Sequence, residues 1–97
     1  MNEKDNIILS KTFDFSLSVI ELYKMLINQK EFVISKQLLR SGTSIGANVN
    51  EAVAAQTKKD FSYKMSIASK EARETKYWLL LLSKSNLVNL DYTKYLQ

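Results

Sequence analysis

The sequence predicts an all-α fold, an antiparallel up-down helical bundle of the four-helix type whose fourth helix is short or truncated. Two observations carry this. There is no proline and there are only two glycines in 97 residues, so the chain lacks the turn residues that an antiparallel sheet needs at each hairpin. Apolar residues also recur at helical spacing through three long segments joined by short polar connections. The chain is read as one domain, 1–97, with helices at about 11–28, 31–55, 58–84 and 92–97. With 45% hydrophobic residues the core is modest, and association with further copies is an expected source of stability.

The first segment, Lys11 to Asn28, has two apolar rows: Phe13, Leu17 and Ile20, beside Phe15, Val19, Leu22 and Leu26. Two adjacent rows predict a broad buried face. Ahead of it, Met1 to Ser10 carries Glu3 and Asp5 and only a three-residue apolar run, Ile7 to Leu9, which is not the layout of a signal peptide. After the connection Gln29–Lys30, the second helix is expected over Glu31 to Ala55, aligning Ile34, Leu38, Ile45, Val49 and Ala52.

Thr57 and Asp60 have capping-box spacing and open the third segment, which runs to about Lys84. Its Phe61, Met65, Ala68, Ala72, Thr75, Leu79 and Leu82 alternate steps of four and three, the seam of an antiparallel bundle. On the opposite side of the wheel fall Lys59, Tyr63, Ser66, Lys70, Arg73, Tyr77 and Lys84, a basic and aromatic stripe. A flanking row of Ile67, Glu71, Glu74, Trp78 and Leu81 is expected to meet another helix. Ser85 to Leu90 is read as a loop, and Asp91 as the cap of a last helix of less than two turns.

Within the second segment, Arg40-Ser41-Gly42-Thr43-Ser44-Ile45-Gly46-Ala47-Asn48-Val49-Asn50-Glu51 is the unusual stretch. Each mid-helix glycine costs about 1 kcal/mol relative to alanine, so a compensating gain is expected. Gly42 and Gly46 share a face, and close approach of a neighbouring helix is the favoured gain; a turn at Gly42 is the alternative. Such a turn would suggest a helix-turn-helix. The bulky Leu38 and polar Asn48 and Glu51 fit that motif poorly.

The run Gln37 to Ala52, with Asp60-Phe61 and Ser66 to Leu79, resembles the four-helix-bundle family associated with intervening sequences inside bacterial 23S ribosomal RNA genes. The second and third segments carry the resemblance closely and the first by pattern. It implies an antiparallel bundle assembling into a ring, typically a pentamer, in bacterial cytoplasm. It also implies similarity to the accessory proteins of diversity-generating retroelements, where a basic ring surface binds nucleic acid and the reverse transcriptase. The C-terminus departs from that pattern, since family members usually complete a long fourth helix.

The stripe Lys59, Tyr63, Lys70, Arg73, Tyr77 and Lys84 has two readings, a solvated helix face or a polyanion-binding surface. In the second, the cations meet phosphates and the tyrosines stack on unpaired bases. Arg40 with Glu71 or Glu74 reads as a structural interhelical ion pair rather than a ligand site, with Trp78 beside it. Ser44, Asn48 and Glu51 lie near one face, either as a polar network inside the bundle or at a surface where subunits meet, the latter favoured.

Histidine and cysteine are both absent, which removes disulfides, ordinary zinc sites, di-iron Glu-x-x-His chemistry and a His-based triad. Carboxylate-only metal binding at Glu51, Glu71 and Glu74 is a remote option. No cofactor and no catalytic role is expected. The longest apolar run, Tyr77 to Leu82, is far short of the roughly 20 residues of a membrane-spanning helix, and no membrane partner is expected. Net charge of +4 favours an anionic partner without requiring one. Two classes remain: an oligomeric RNA- or DNA-binding accessory protein using a basic helix face, and an oligomeric protein scaffold.

Overall fold

The computed structural model describes residues 2–96 and contains, in order, α1 (Glu3–Asn28), α2 (Ile34–Val53), α3 (Lys58–Ser85) and the single turn α4 (Thr93–Leu96). The three long helices run up, down and up as a rod of 43 × 20 × 19 Å. Helix α2 packs along both α1 and α3, while the segment after α3 turns back over the top.

The N-terminal boundary corrects the sequence expectation: α1 begins at Glu3 rather than Lys11. The Asn2 side chain accepts a hydrogen bond from the Asp5 amide at 2.8 Å, and Glu3 and Asp5 sit in the first turn, where the helix dipole favours negative charge. At the other end the Lys30 and Glu31 amides bond back to Ile27 and Leu26, both at 2.9 Å, with Lys30 at φ 66°. This is a Schellman closure built without glycine.

Helix α2 starts at Ile34, not Glu31, because Glu31 is used as the cap. Its buried carboxylate accepts from the amides of Val33 (3.2 Å), Ile34 (3.0 Å) and Ser35 (2.6 Å), and the Ser35 hydroxyl donates to the Glu31 carbonyl at 2.7 Å. Three of the orphan amides of a helix start are thereby satisfied by one side chain. The helix ends at Val53 rather than Ala55, and it passes through Gly42 without interruption. No turn or helix-turn-helix forms there.

The glycines lie at a close contact between α1 and α2. A Cβ on Gly42 would stand 2.8 Å from both γ-carbons of Val19, and one on Gly46 would stand 3.1 Å from Ser16 Oγ and 3.2 Å from the Thr12 carbonyl oxygen. Between α2 and α3 the contact is polar at its centre: the buried Thr75 hydroxyl donates to the Glu71 carbonyl at 2.7 Å, and its oxygen shares a 2.9 Å hydrogen bond with the Ser41 hydroxyl.

Helix α3 is the unbroken helix expected, opened by Thr57, whose hydroxyl accepts from the Asp60 amide at 3.0 Å, and closed by Asn86 in the left-handed region. The main core cluster is concentrated toward its C-terminal end: Val19, Leu22, Leu26, Leu38, Leu79 and Leu82 close around Val88, Tyr92 and Tyr95 of the returning segment. The other end is filled by smaller or fewer groups, notably Val49, Ala52 and Ala68.

Two expected core sets are corrected. Phe13, Leu17 and Ile20 are exposed, at 64%, 48% and 37%; only the neighbouring row holding Val19, Leu22 and Leu26 faces the core. In α3, Ala68, Thr75, Leu79 and Leu82 are buried, but Phe61 is 40% exposed and Ala72 is also open. The described part of the last segment covers only the upper part of that seam. Its helix spans Thr93–Leu96 within the expected 92–97, Gln97 lying outside the described residues, and Asp91 caps it by accepting from the Thr93 amide at 3.0 Å.

Candidate nucleic-acid interface

Because α3 is continuous, every residue of its outer stripe keeps the phase given by the helical repeat. Lys59, Tyr63, Lys70, Arg73, Tyr77 and Lys84 are all exposed, with the two tyrosines 64% and 58% open, and Ser66 lies among them. From Lys59 to Lys84 the stripe is about 37 Å long at the usual helical rise. None of its four cations takes part in an ion pair among the described residues. What the arrangement offers is a straight line of unpaired positive charge with aromatic faces between the charges.

The flanking row does meet another helix. Arg40 of α2 reaches α3, pairing with Glu74 and standing 3.6 Å from Glu71, and the Trp78 indole donates to Glu74 at 3.4 Å. Glu71 Oε2 is buried without a hydrogen bond, since Arg40 is just beyond reach. Trp78 also packs edge-on to Tyr77, with centroids 5.1 Å apart at 74°, so the stripe's second tyrosine is braced by a half-buried neighbour.

Ser44, Asn48 and Glu51 do not form an interior network. Ser44 donates to the Arg40 carbonyl at 2.7 Å and Asn48 to the Ser44 carbonyl at 2.8 Å, both within α2, while Glu51 turns to Lys64 of α3 at 3.1 Å. Gly42 is buried and Gly46 half-buried, both at the α1–α2 contact rather than on a free surface.

Two features escape the sequence pattern. The Glu31 cap is hidden because a glutamate at that position continues a helical pattern equally well. A cleft of about 720 Å³ runs between α1 and α2, lined among others by Leu9, Phe13, Ile20, Thr43, Gly46 and Ala47. The surplus apolar row of α1 was its signal. No group of three or more potential metal-ligating side chains occurs among the described residues, and no helix there is long and apolar enough to cross a membrane.

Two groups have displaced pKa values. Burial, reinforced by the Glu31 carboxylate, raises the Tyr92 phenol above its ordinary value, and its hydroxyl donates to the Val88 carbonyl at 3.0 Å. The exposed Asp91 carboxyl is lowered by its hydrogen bonds from Thr93.

No curated protein matches the sequence. Among solved structures, the chain is similar to a protein of unknown function from the S23 ribosomal protein family of Bacteroides thetaiotaomicron, with 50% identity and a TM-score of 0.89. The match covers 96% of this chain and 85% of that one. The profile of the family described as 23S rRNA-intervening sequence protein matches residues 4–97. The chain belongs to the 23S rRNA-intervening sequence protein family.

Proposed function

We propose that this protein is a non-catalytic, self-associating helical bundle that binds RNA or DNA as an accessory factor through the outer face of α3. The observation that carries this is the uninterrupted exposure of Lys59, Lys70, Arg73 and Lys84 with Tyr63 and Tyr77 between them. Unpaired cations on a rigid helix release counterions from a phosphate chain, and tyrosines at intervals give bases a surface to stack on. The family's description, with its reference to 23S rRNA, and the net charge of +4 agree with an anionic partner. The same reading takes the compartment to be the bacterial cytoplasm, and the family resemblance suggests a ring, typically of five copies.

The test is the triple reversal K59E/K70E/R73E. Binding of labelled single-stranded RNA should be lost; wild-type affinity should fall with salt at a logarithmic slope steeper by about 2 than that of a variant lacking these three contacts. Unchanged affinity in the triple variant refutes the reading.

A second reading, a protein scaffold with no nucleic-acid role, is favoured by the exposed apolar residues Phe13, Leu17 and Ile20 beside the α1–α2 cleft. An F13S/L17S variant that loses assembly, combined with a wild type that binds no nucleic acid, would select it.

A further inference from the structure

Helix α2 packs along both α1 and α3, which have little direct contact with each other, so the bundle is open on the side away from α2. The turn α4 fills that opening only toward the C-terminal end of α3. Next to it lies a hollow of about 240 Å³, lined among others by Phe15 of α1, Ile45 of α2, Ala72 and Lys76 of α3, and Tyr95 and Leu96 of α4. From there toward Thr57 the seam is uncovered by any described element, and Ala72 and Phe61 stand exposed along it.

Floor and rims follow from helical phase. Val19 packs against Gly42, and the adjacent Ser41 is hydrogen-bonded to Thr75, which sets residue 19 of α1 level with residue 75 of α3. In the same register Phe15 comes level with Ala72, its neighbour in the hollow, and the half-buried Ile8 with the half-buried Met65, each to within one residue. Lys4 and Lys11 share the face of α1 that carries Phe15, and Lys58 and Lys76 the face of α3 that carries Met65 and Ala72. All four lysines are exposed, and none is ion-paired among the described residues. The nearest carboxylates are directed elsewhere. Glu71 and Glu74 turn to Arg40 of α2, while Asp14 and Glu21 fall about 60–80° further round α1 than Lys11. The result is an apolar channel between two basic rims, running about 21 Å from Ala72 to Lys58, the length of a helix of about four turns.

We propose that this groove docks an acidic amphipathic helix of a partner protein, laid between α1 and α3 beside the end of α4. A helix is the element that fits, since α4 already seats Tyr95 and Leu96 in the same channel. The partner's apolar stripe rests on Phe15, Ala72, Ile8, Met65 and Phe61, and its carboxylates reach the lysines of both rims. A basic helix of the same shape gains the apolar contact and meets like charge at the rims, so charge selects the partner. This inference does not rest on the proposed nucleic-acid role. The rim lysines lie off the α3 stripe, and a helix in the groove leaves Lys59, Lys70, Arg73 and Lys84 open to solvent.

The test is fluorescence anisotropy with two labelled peptides of about four helical turns, both with leucines at alternate steps of three and four. One carries glutamates beside the leucines and the other lysines. Wild type should bind the glutamate peptide about tenfold or more tightly than the lysine peptide, and K11E/K76E should reverse that preference. M65N/A72N, which changes the floor without changing charge, should weaken the glutamate peptide about fivefold or more and leave the binding of a labelled oligouridylate as in wild type. Where M65N/A72N loses its helical circular dichroism, A72Q at the exposed position carries the same expectation with a smaller loss.

No binding of the glutamate peptide, equal affinity for the two peptides, or an unchanged preference in K11E/K76E overturns the proposal. A change of mass by light scattering in M65N/A72N assigns the groove to a second copy of the chain, and a loss of oligouridylate binding in that variant assigns it to nucleic acid; either result also overturns it.

Discussion

Gly42→Ala separates two opposing effects at one atom. Alanine in place of glycine at a mid-helix position gains about 1 kcal/mol of helix propensity. Here the added methyl would lie 2.8 Å from both γ-carbons of Val19 and 3.2 Å from its Cβ. No rotation of Val19 relieves a contact made by both branches at once, so the helices must part, and overpacking of this kind costs about 1–3 kcal/mol. The net expectation is a loss of up to about 2 kcal/mol, which for a domain of this size lowers the melting temperature by several degrees. In a Val19→Ala background the γ-carbons are gone and the same substitution should stabilise by about 1 kcal/mol. Urea unfolding of the four proteins, followed by circular dichroism, gives the coupling directly. A coupling of about 1–3 kcal/mol is expected. If Gly42→Ala stabilises the wild type, or has the same effect in the wild type and in the Val19→Ala background, the close approach is not what retains the glycine.

Glu31→Ala removes one buried carboxylate that accepts three amide hydrogen bonds, and a loss of about 2–3 kcal/mol in urea unfolding is expected, against about 1 kcal/mol for an ordinary cap. Tyr92, held neutral by burial and by the Glu31 charge, keeps its proton in the fold at pH values where unfolded tyrosine has begun to release it; the native state then binds more protons, so stability should fall as pH rises past about 10 and be insensitive to this group near neutrality. Tyr92→Phe should show a shallower alkaline loss in pH-dependent melting, after a neutral-pH cost of about 1 kcal/mol for the bond to Val88. Arg40→Ala should cost no more than about 1 kcal/mol, because both Arg40 and Glu74 are substantially exposed, with relative side-chain exposures of 53% and 38%; a loss several times larger in thermal unfolding would show the pair to be a principal tie between α2 and α3.

The middle of the chain was legible because its signals are local and periodic. The Thr57 cap, the Ala68–Thr75–Leu79–Leu82 seam and the glycine pair each state a requirement that only a helix in close packing meets. The basic stripe follows from the same phase, which places it in solvent but leaves its partner to experiment. Boundaries were less legible where an unusual residue did the work: Asn2 starts α1 ahead of the apolar pattern, Lys30 and Asn86 take the left-handed positions that glycine normally marks, and Glu31 caps from inside the expected helix. Phe13, Leu17 and Ile20 show the deeper limit. An apolar row announces that something covers it, whereas the chain's own elements leave it bare.

The uneven distribution of bulk along the rod has a mechanical consequence. Near the loop at residues 29–33 the helices are pinned by large side chains and by tyrosines threaded between them, while toward Thr57 they rest on valine, alanine and partial contacts. Opening free energies fall in that direction, so the rod frays from the Thr57 end before it melts. Arg73, Tyr77 and Lys84 therefore stand on the stiff part of the beam and Lys59 and Tyr63 on its compliant tip, giving any bound chain a fixed anchor and a yielding edge.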